Sequence, residues 1–217
     1  VTNQLLDFQK MESGALQLSK KECLINELIE DVYNQFTGVA TLKGLELNRV
    51  LPEENLFAMI DREKISKILV NLTGNALKYA KNRIVLTLSA NGKILEIIVS
   101  NDGPRIPAEE KDRIFEAFYQ LPGDKKASTG TGIGLAFAKS LAEAHHGDLR
   151  VEDAVEGGAA FILSLPLEKA ELISADDELV DNEKTEDSEE CIVASKSAEQ
   201  KYTVLLVEDN VDLLNIT

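Results

Sequence analysis

Apolar and polar residues recur along this chain with two different periods, and the switches between them mark out its elements. Over residues 25–40, Ile25, Leu28, Ile29, Val32 and Phe36 return every three or four positions, the spacing of an amphipathic helix. Ile65, Ile68, Leu69, Leu72, Ala76 and Leu77 repeat that pattern over residues 62–80, with Asp61 where an N-cap belongs. Residues 45–50, 83–90 and 93–100 alternate as half-buried strands do, and 57–60 reads as a shorter strand. The pair 83–90 and 93–100 is joined around Asn91-Gly92, a strong hairpin signal. Residues 101–130 are loop-rich, with a short helix expected at 111–118. A helix over 132–146 follows, closed by Gly147. Strands at 148–153 and 159–166 meet across Gly157-Gly158. At the start, Leu5, Leu6, Phe8 and Met11 read as the end of a helix stopped at Ser13-Gly14. The pattern predicts a sheet with helices on one face over residues 22–167.

Composition changes the picture after residue 167. Residues 168–200 are dominated by Asp, Glu and Ser with little apolar periodicity, the signature of a solvated linker. Residues 202–207 then form a buried-type strand that ends in Glu208-Asp209-Asn210. The expected division is therefore 1–21, 22–167, 168–200 and 201–217. A formal charge of −15 argues against a surface that neutralises nucleic-acid phosphates. Cys23 and Cys191 follow no metal-ligand spacing. No apolar run approaches the roughly 18 residues of a membrane span, so no membrane contact is expected of these residues. The chain begins and stops in mid-pattern and reads as a piece of a longer protein.

Three polar clusters interrupt the apolar pattern. Asn71, Asn75 and Lys78 share one helix face, where an amide oxygen can complete the shell of Mg²⁺ and an ammonium can face phosphates. Taken alone, such a pair of asparagines also suits a solvent-facing stripe. Gly130, Thr131, Gly132, Ile133, Gly134 and Leu135 alternate glycine with other residues at a helix start, where free backbone N–H groups attract anions. No strand directly precedes them and no Lys-Ser or Lys-Thr follows, which excludes the dinucleotide fingerprint and the P-loop. The third cluster, Asn101, Asp102, Gly103, Pro104, Arg105 and Ile106, follows a strand and offers a side-chain acceptor beside a glycine.

In this order and spacing the clusters resemble the GHKL ATP-binding fold, and more narrowly the catalytic domain of sensor histidine kinases. Asn71 to Tyr79 resembles that family's N box, Asn101 to Ile106 its first glycine box, Ile114 to Tyr119 its phenylalanine box, and Gly130 to Leu135 its second glycine box. The resemblance implies an α/β two-layer sandwich whose mixed, mostly antiparallel sheet carries helices on one face. It implies ATP and Mg²⁺ as cofactors, with the metal on Asn75. The implied nucleotide-binding set is Asn71, Asn75, Lys78, Tyr79, Asn101, Asp102, Gly103, Ile106, Phe115, Gly130, Thr131, Gly132, Ile133, Gly134 and Leu135. Residues 5–14 resemble the end of the family's dimerisation and phosphotransfer hairpin, and residues 204–210 the first strand of a receiver domain. Together they imply a hybrid kinase in the cytoplasm. Its partners would be its own upstream hairpin, a dimer partner and a receiver. Residues 120–129 are expected to form a lid.

Two departures stand out. The family's adenine-reading aspartate falls on Asn101, with Asp102 able to take over if the turn shifts by one residue. Ala159 and Ala160 occupy places where the family often carries a hydroxyl. The only histidines, His145 and His146, end a helix and lack the acidic residue that follows the family's acceptor, so the acceptor is expected outside this chain. Competing readings are a GHKL serine kinase or topoisomerase-type ATPase, and a nucleotide-sensing module without catalysis.

Overall fold

A computed structural model of the chain describes residues 17–122, 131–155 and 157–167. The helix end expected before residue 15, Gly130, most of the expected lid, the acidic linker and the strand expected at 202–207 lie outside these residues. All described residues belong to the first of two units, Val1–Leu172.

Strand β1 (Lys21–Leu24) runs directly into helix α1 (Ile25–Leu42), followed by β2 (Glu46–Val50) and β3 (Phe57–Ile60). Helix α2 (Arg62–Tyr79) precedes the hairpin of β4 (Arg83–Asn91) and β5 (Ile94–Asn101). Helix α3 (Gly134–Ala144), β6 (Asp148–Asp153) and β7 (Ala159–Pro166) complete the described chain. Five strands form one sheet in the order β2-β4-β5-β7-β6. Only β2 and β4 pair in parallel. This is the mixed, mostly antiparallel sheet expected from the sequence. An antiparallel ribbon of β1 and β3 stands apart from it. Lys21–Leu24 has two charges in four residues and no periodicity long enough to announce a strand.

The alternation in the hairpin explains which face is covered. Ile84, Leu86 and Leu88 of β4 and Leu95, Ile97 and Val99 of β5 are buried, whereas Val85, Thr87, Glu96 and Ile98 between them are half-exposed. Leu149, Phe161, Leu163 and Leu165 extend the buried face. The apolar stripes of α1, α2 and α3 join it in one core. Each large side chain so buried contributes roughly 1.5–3 kcal/mol. Asn91 pairs with Ile94, so the two loop residues are Gly92 and Lys93, one position beyond the Asn91-Gly92 expected. Gly92, at φ +62°, supplies the left-handed first position that tight hairpin turns favour.

Two sequence expectations need correction. Residues 111–118 do not form an α-helix; a single 3-10 turn, Arg113–Phe115, stands there, with another just ahead of it at Ala108–Glu110. Glu116 is extended at ψ 140° and Phe118 left-handed at φ +67°, backbone conformations that no α-helix accommodates. Helix α3 begins at Gly134 rather than 132 and ends at Ala144, with His146 rather than Gly147 in the left-handed conformation, φ +61°. His146 N–H donates to Glu143 O and Gly147 N–H to Ala142 O, both at 2.9 Å, a Schellman cap. Gly147 is small for another reason: a Cβ there would lie 2.3 Å from Ser164 O.

Candidate functional site

Helix α2 begins as its sequence asks. The Asp61 carboxylate accepts from Lys64 N–H at 3.2 Å and caps the first turn. Its other oxygen accepts from Ser19 N–H at 3.0 Å, tying down the segment that leads into β1. The Asp61 N–H in turn donates to His145 Nε2 at 3.1 Å, and His145 Nδ1–H donates to Leu141 O at 2.8 Å. His145 is 2% exposed, and these partners fix it as the neutral tautomer protonated on Nδ1. Burial pushes its pKa below the ordinary imidazole value, although the bond to Leu141 works the other way. The start of α2 is thereby joined to the end of α3. Neither ring nitrogen of His145 is available as a phosphate acceptor.

Ten residues further along, α2 meets the other end of α3. The Asn71 carboxamide lies on Gly134, where an added Cβ would stand 2.5 Å from Asn71 Oδ1 and 2.8 Å from Nδ2. Gly134 therefore serves first to let two helices touch. Asn75 and Lys78 are half-buried on the same stretch of α2, and Lys78 Nζ stands 4.9 Å from the Tyr79 ring centroid. Asn71 to Tyr79 spans about 12 Å of helix.

Tyr79 carries the next contact. A Cβ on Gly103 would lie 2.4 Å from Tyr79 O and 2.6 Å from Asn101 Nδ2, so only glycine lets the turn after β5 reach the end of α2. Gly158, at φ +87°, presses on the same turn from the β7 side; its Cβ would come within 2.0 Å of Asn101 O. Asn101 is 5% exposed within this packing.

The adjacent Asp102 has a different environment. Its carboxylate accepts from the backbone N–H groups of Lys81, Asn82 and Arg83 and from Asn82 Nδ2, at 2.9–3.0 Å. Partial burial works against the charge, but the hydrogen bonds from Asn82, Arg83 and Lys81 outweigh it and hold the carboxyl well below the usual range. Asp102 organises the α2–β4 connection, and its lone pairs are committed there.

The phenylalanine and second glycine motifs meet as one clip. Phe118, at φ +67°, donates its N–H to Gly132 O at 2.9 Å, and Gly132, at φ +71°, would overlap the Phe118 backbone if it carried a Cβ. A left-handed phenylalanine has no sequence signal, since the conformation normally favours glycine or asparagine. Phe115 packs edge-on against Phe161 with centroids 6.5 Å apart, and Lys139 Nζ stands 5.0 Å from its ring centroid. Ile106 and Leu135 are partly buried against the core, Ile133 is buried and Thr131 is exposed. Among the described residues no side chain caps the first turn of α3, whose first N–H groups have no partner within the helix. Arg105 is exposed, 4.0 Å from the Asp153 carboxylate.

One property separates this end of the domain from the rest. Among the described residues, three buried side-chain polar atoms lack a partner: Asn71 Nδ2, Thr73 Oγ1 and Asn101 Nδ2. Two belong to the second half of α2 and the third to Asn101, the last residue of β5. An unpaired buried group costs about 1–3 kcal/mol; Asn71 shares its face of α2 with Asn75, whereas Thr73, two positions on, lies on another face.

Known proteins share both pattern and fold. Residues 60–169 match the family model described as histidine kinase-, DNA gyrase B-, and HSP90-like ATPase. Sensor histidine kinase TmoS of Ectopseudomonas mendocina is 35% identical over 97% of this chain and 23% of its own length. Hybrid signal transduction histidine kinase D of Dictyostelium discoideum is 31% identical over 77% of this chain and 11% of its own. The chain thus spans less than a quarter of these relatives. Full-length ShkA in complex with AMPPNP has a TM-score of 0.69 at 29% identity, covering 77% of this chain and 35% of that one. The catalytic domain of histidine kinase ThkA has a TM-score of 0.62 at 29% identity, covering 69% of this chain and 98% of that one. The chain belongs to the histidine kinase-, DNA gyrase B-, and HSP90-like ATPase family, and its folded domain is the ATPase catalytic domain of a histidine kinase.

Proposed function

We propose that this chain holds ATP and Mg²⁺ along the second half of α2 and offers the γ-phosphate to a histidine outside it, within a hybrid sensor kinase. The observation that carries the reading is the pair of unpaired buried amides, Asn71 Nδ2 and Asn101 Nδ2, together with a start of α3 without a side-chain cap. The likeness to ShkA, solved with AMPPNP, supports a nucleotide in this place. The donor set fits: one amide oxygen at Asn75 suits a metal that keeps water and phosphate as its other ligands.

Each residue then has a task. Asn101 meets the base beside Gly103, with Tyr79 and Ile106 nearby. Asn75 presents its amide oxygen to the metal, and Lys78 brings positive charge to the phosphates. The N–H groups at Gly132, Ile133, Gly134 and Leu135 face the phosphate end, with Asn71 supporting Gly134 from below. Thr131 and Phe115 flank that end. Bound Mg²⁺ supplies neutralising charge to the phosphates, and phosphoryl transfer depends chiefly on such charge and on positioning. His145 is fully engaged in packing, which supports an acceptor on the upstream hairpin of the chain or of a dimer partner. A receiver domain would take the phosphate next, in the cytoplasm. Among the described residues no helix is long and apolar enough to cross a membrane.

Thermal unfolding with and without MgATP tests this reading. Nucleotide at 100 times its dissociation constant adds about 2.7 kcal/mol, and no shift at millimolar nucleotide would overturn it. Asn75→Ala is expected to weaken binding in Mg²⁺ more than in EDTA, and Lys78→Ala to weaken it in both. Equal behaviour of the two variants in both conditions would remove the assigned division of roles.

A further inference from the structure

The edge of the base that this site reads follows from what surrounds Asn101. Its side chain is 5% exposed and its Nδ2 has no acceptor. The residue opposite on β7 is Ala159, and Ala160 is opposite Ser100, so β7 offers no hydroxyl at this level. Two carboxylates, one adjacent in sequence and one two strands across the sheet, are committed elsewhere. Asp102 accepts from three backbone N–H groups and from Asn82. Asp153, opposite Ala159 on β6, is bound by Lys111 at 2.7 Å. The buried hydrogen-bonding group left to meet a base at the end of β5 is therefore a neutral amide.

An amide and a carboxylate read a purine differently. A carboxylate only accepts, so it suits the 6-amino group of adenine and opposes the 6-keto oxygen of hypoxanthine or guanine. An amide carries one donor group and one acceptor side by side. Its oxygen can take the adenine amino hydrogen while its nitrogen donates to N1. Turned by half a rotation, its nitrogen donates to a 6-keto oxygen while its oxygen accepts from N1–H. No hydrogen bond holds Asn101 Nδ2 where it stands, so the turn sacrifices none on that side.

We propose that this site accepts purine nucleoside triphosphates with either an amino or a keto group at position 6, and that Asn101 is the residue that permits both. The inference rests on the nucleotide reading above and adds the class of base to it. Selectivity would pass to Asn101→Asp, which restores an acceptor-only side chain in the same volume.

Inosine triphosphate is the cleanest probe, because it differs from ATP only at N1 and position 6 of the base. Dissociation constants for MgATP and MgITP are measured by calorimetry on the chain and on Asn101→Asp, with circular dichroism to verify that the variant folds. The chain is expected to bind the two nucleotides within about threefold, and the variant to favour MgATP by tenfold or more, the gap between a neutral and a charge-assisted hydrogen bond. A wild-type preference for MgATP of tenfold or more would overturn the inference while leaving the nucleotide reading intact. The same holds if a folded Asn101→Asp keeps the wild-type ratio. Binding of neither nucleotide to the wild-type chain would overturn both. The wild-type ratio decides the matter even if the variant does not fold.

Discussion

Helices α2 and α3 touch at two places, and the two contacts are built on opposite plans. At one, Asp61 and His145 satisfy each other and their surroundings: helix cap, connecting segment and imidazole all have partners. At the other, Asn71 rests on Gly134 with its Nδ2 unpaired, and Asn101 lies buried beyond the end of α2 in the same condition. The contacts are ten residues apart on α2 and eleven on α3, roughly 15 Å along either helix, so the pair is pinned at matching intervals. The difference teaches what each contact is for. Polar groups that complete one another belong to the scaffold, whereas the incomplete amides of Asn71 and Asn101 are the ones the proposed nucleotide would meet.

The contrast can be broken most severely through its glycines. Gly158→Ala places a Cβ about on top of the Asn101 backbone, in a left-handed conformation. The expected loss is roughly 3 kcal/mol or more, measured by urea unfolding, and a neutral outcome would deny that this turn is as tightly set as described.

His145→Ala attacks the satisfied contact. It leaves the Asp61 N–H without a partner, removes the imidazole bond to Leu141 O, which keeps the backbone N–H of residue 145, and opens a cavity, for an expected loss of about 2–4 kcal/mol. The wild-type pH profile carries the same information. His145 is depressed in the folded state, so its contribution is complete above the unfolded imidazole value of about 6.5 and is lost as pH falls below it. Asp102 is also depressed, and its contribution is lost only as pH falls below the ordinary carboxylate range. Stability is expected to decline in two acid steps, and His145→Ala to abolish the upper one. A variant that retained the upper step would place its origin elsewhere.

A smaller effect separates the neighbours at the β5 turn. Asp102→Asn is expected to lower stability by about 1–2 kcal/mol with little change in nucleotide affinity. Asn101→Ala is expected to weaken nucleotide binding about tenfold with little loss of stability, since it removes a group that has no partner. Unfolding and calorimetry on both variants would expose a reversed assignment at once.

How much of this was legible in the sequence depended on whether a feature was local. The period-two and period-3.6 stretches fixed the hairpin, α1, α2 and the outer strands, because burial of one face imposes those periods. Asp61 as N-cap was readable three residues from its partner. Of the β1–β3 ribbon, β3 was readable as a short strand, but β1 and the pairing were not, because the four residues of β1 gain their identity from their partner. Nor was the conformation of 111–118, where a few apolar residues suggested a stripe that tertiary packing resolves as a single 3-10 turn. In the site, Asn71, Asn75 and Lys78 were visible as one face of α2, and the Asn101–Gly103 turn as a motif. The separate role of Asp102 was hidden, because its partners at 81–83 are brought to it only by folding. His145 was hidden likewise, since Asp61 is 84 residues away. Gly132 and Gly134 were read as openings for an anion, whereas both, like Gly103 and Gly158, first admit another part of the protein.

Amide hydrogen exchange with and without MgATP tests the contrast between the two contacts most directly. Protection is expected at 71–79, 101–106 and 131–137, with exchange at Asp61–Lys64 and Leu141–Gly147 unchanged. No protection in the first set, or protection confined to the second, would contradict the assignment of ligand and scaffold to opposite ends of the helix pair.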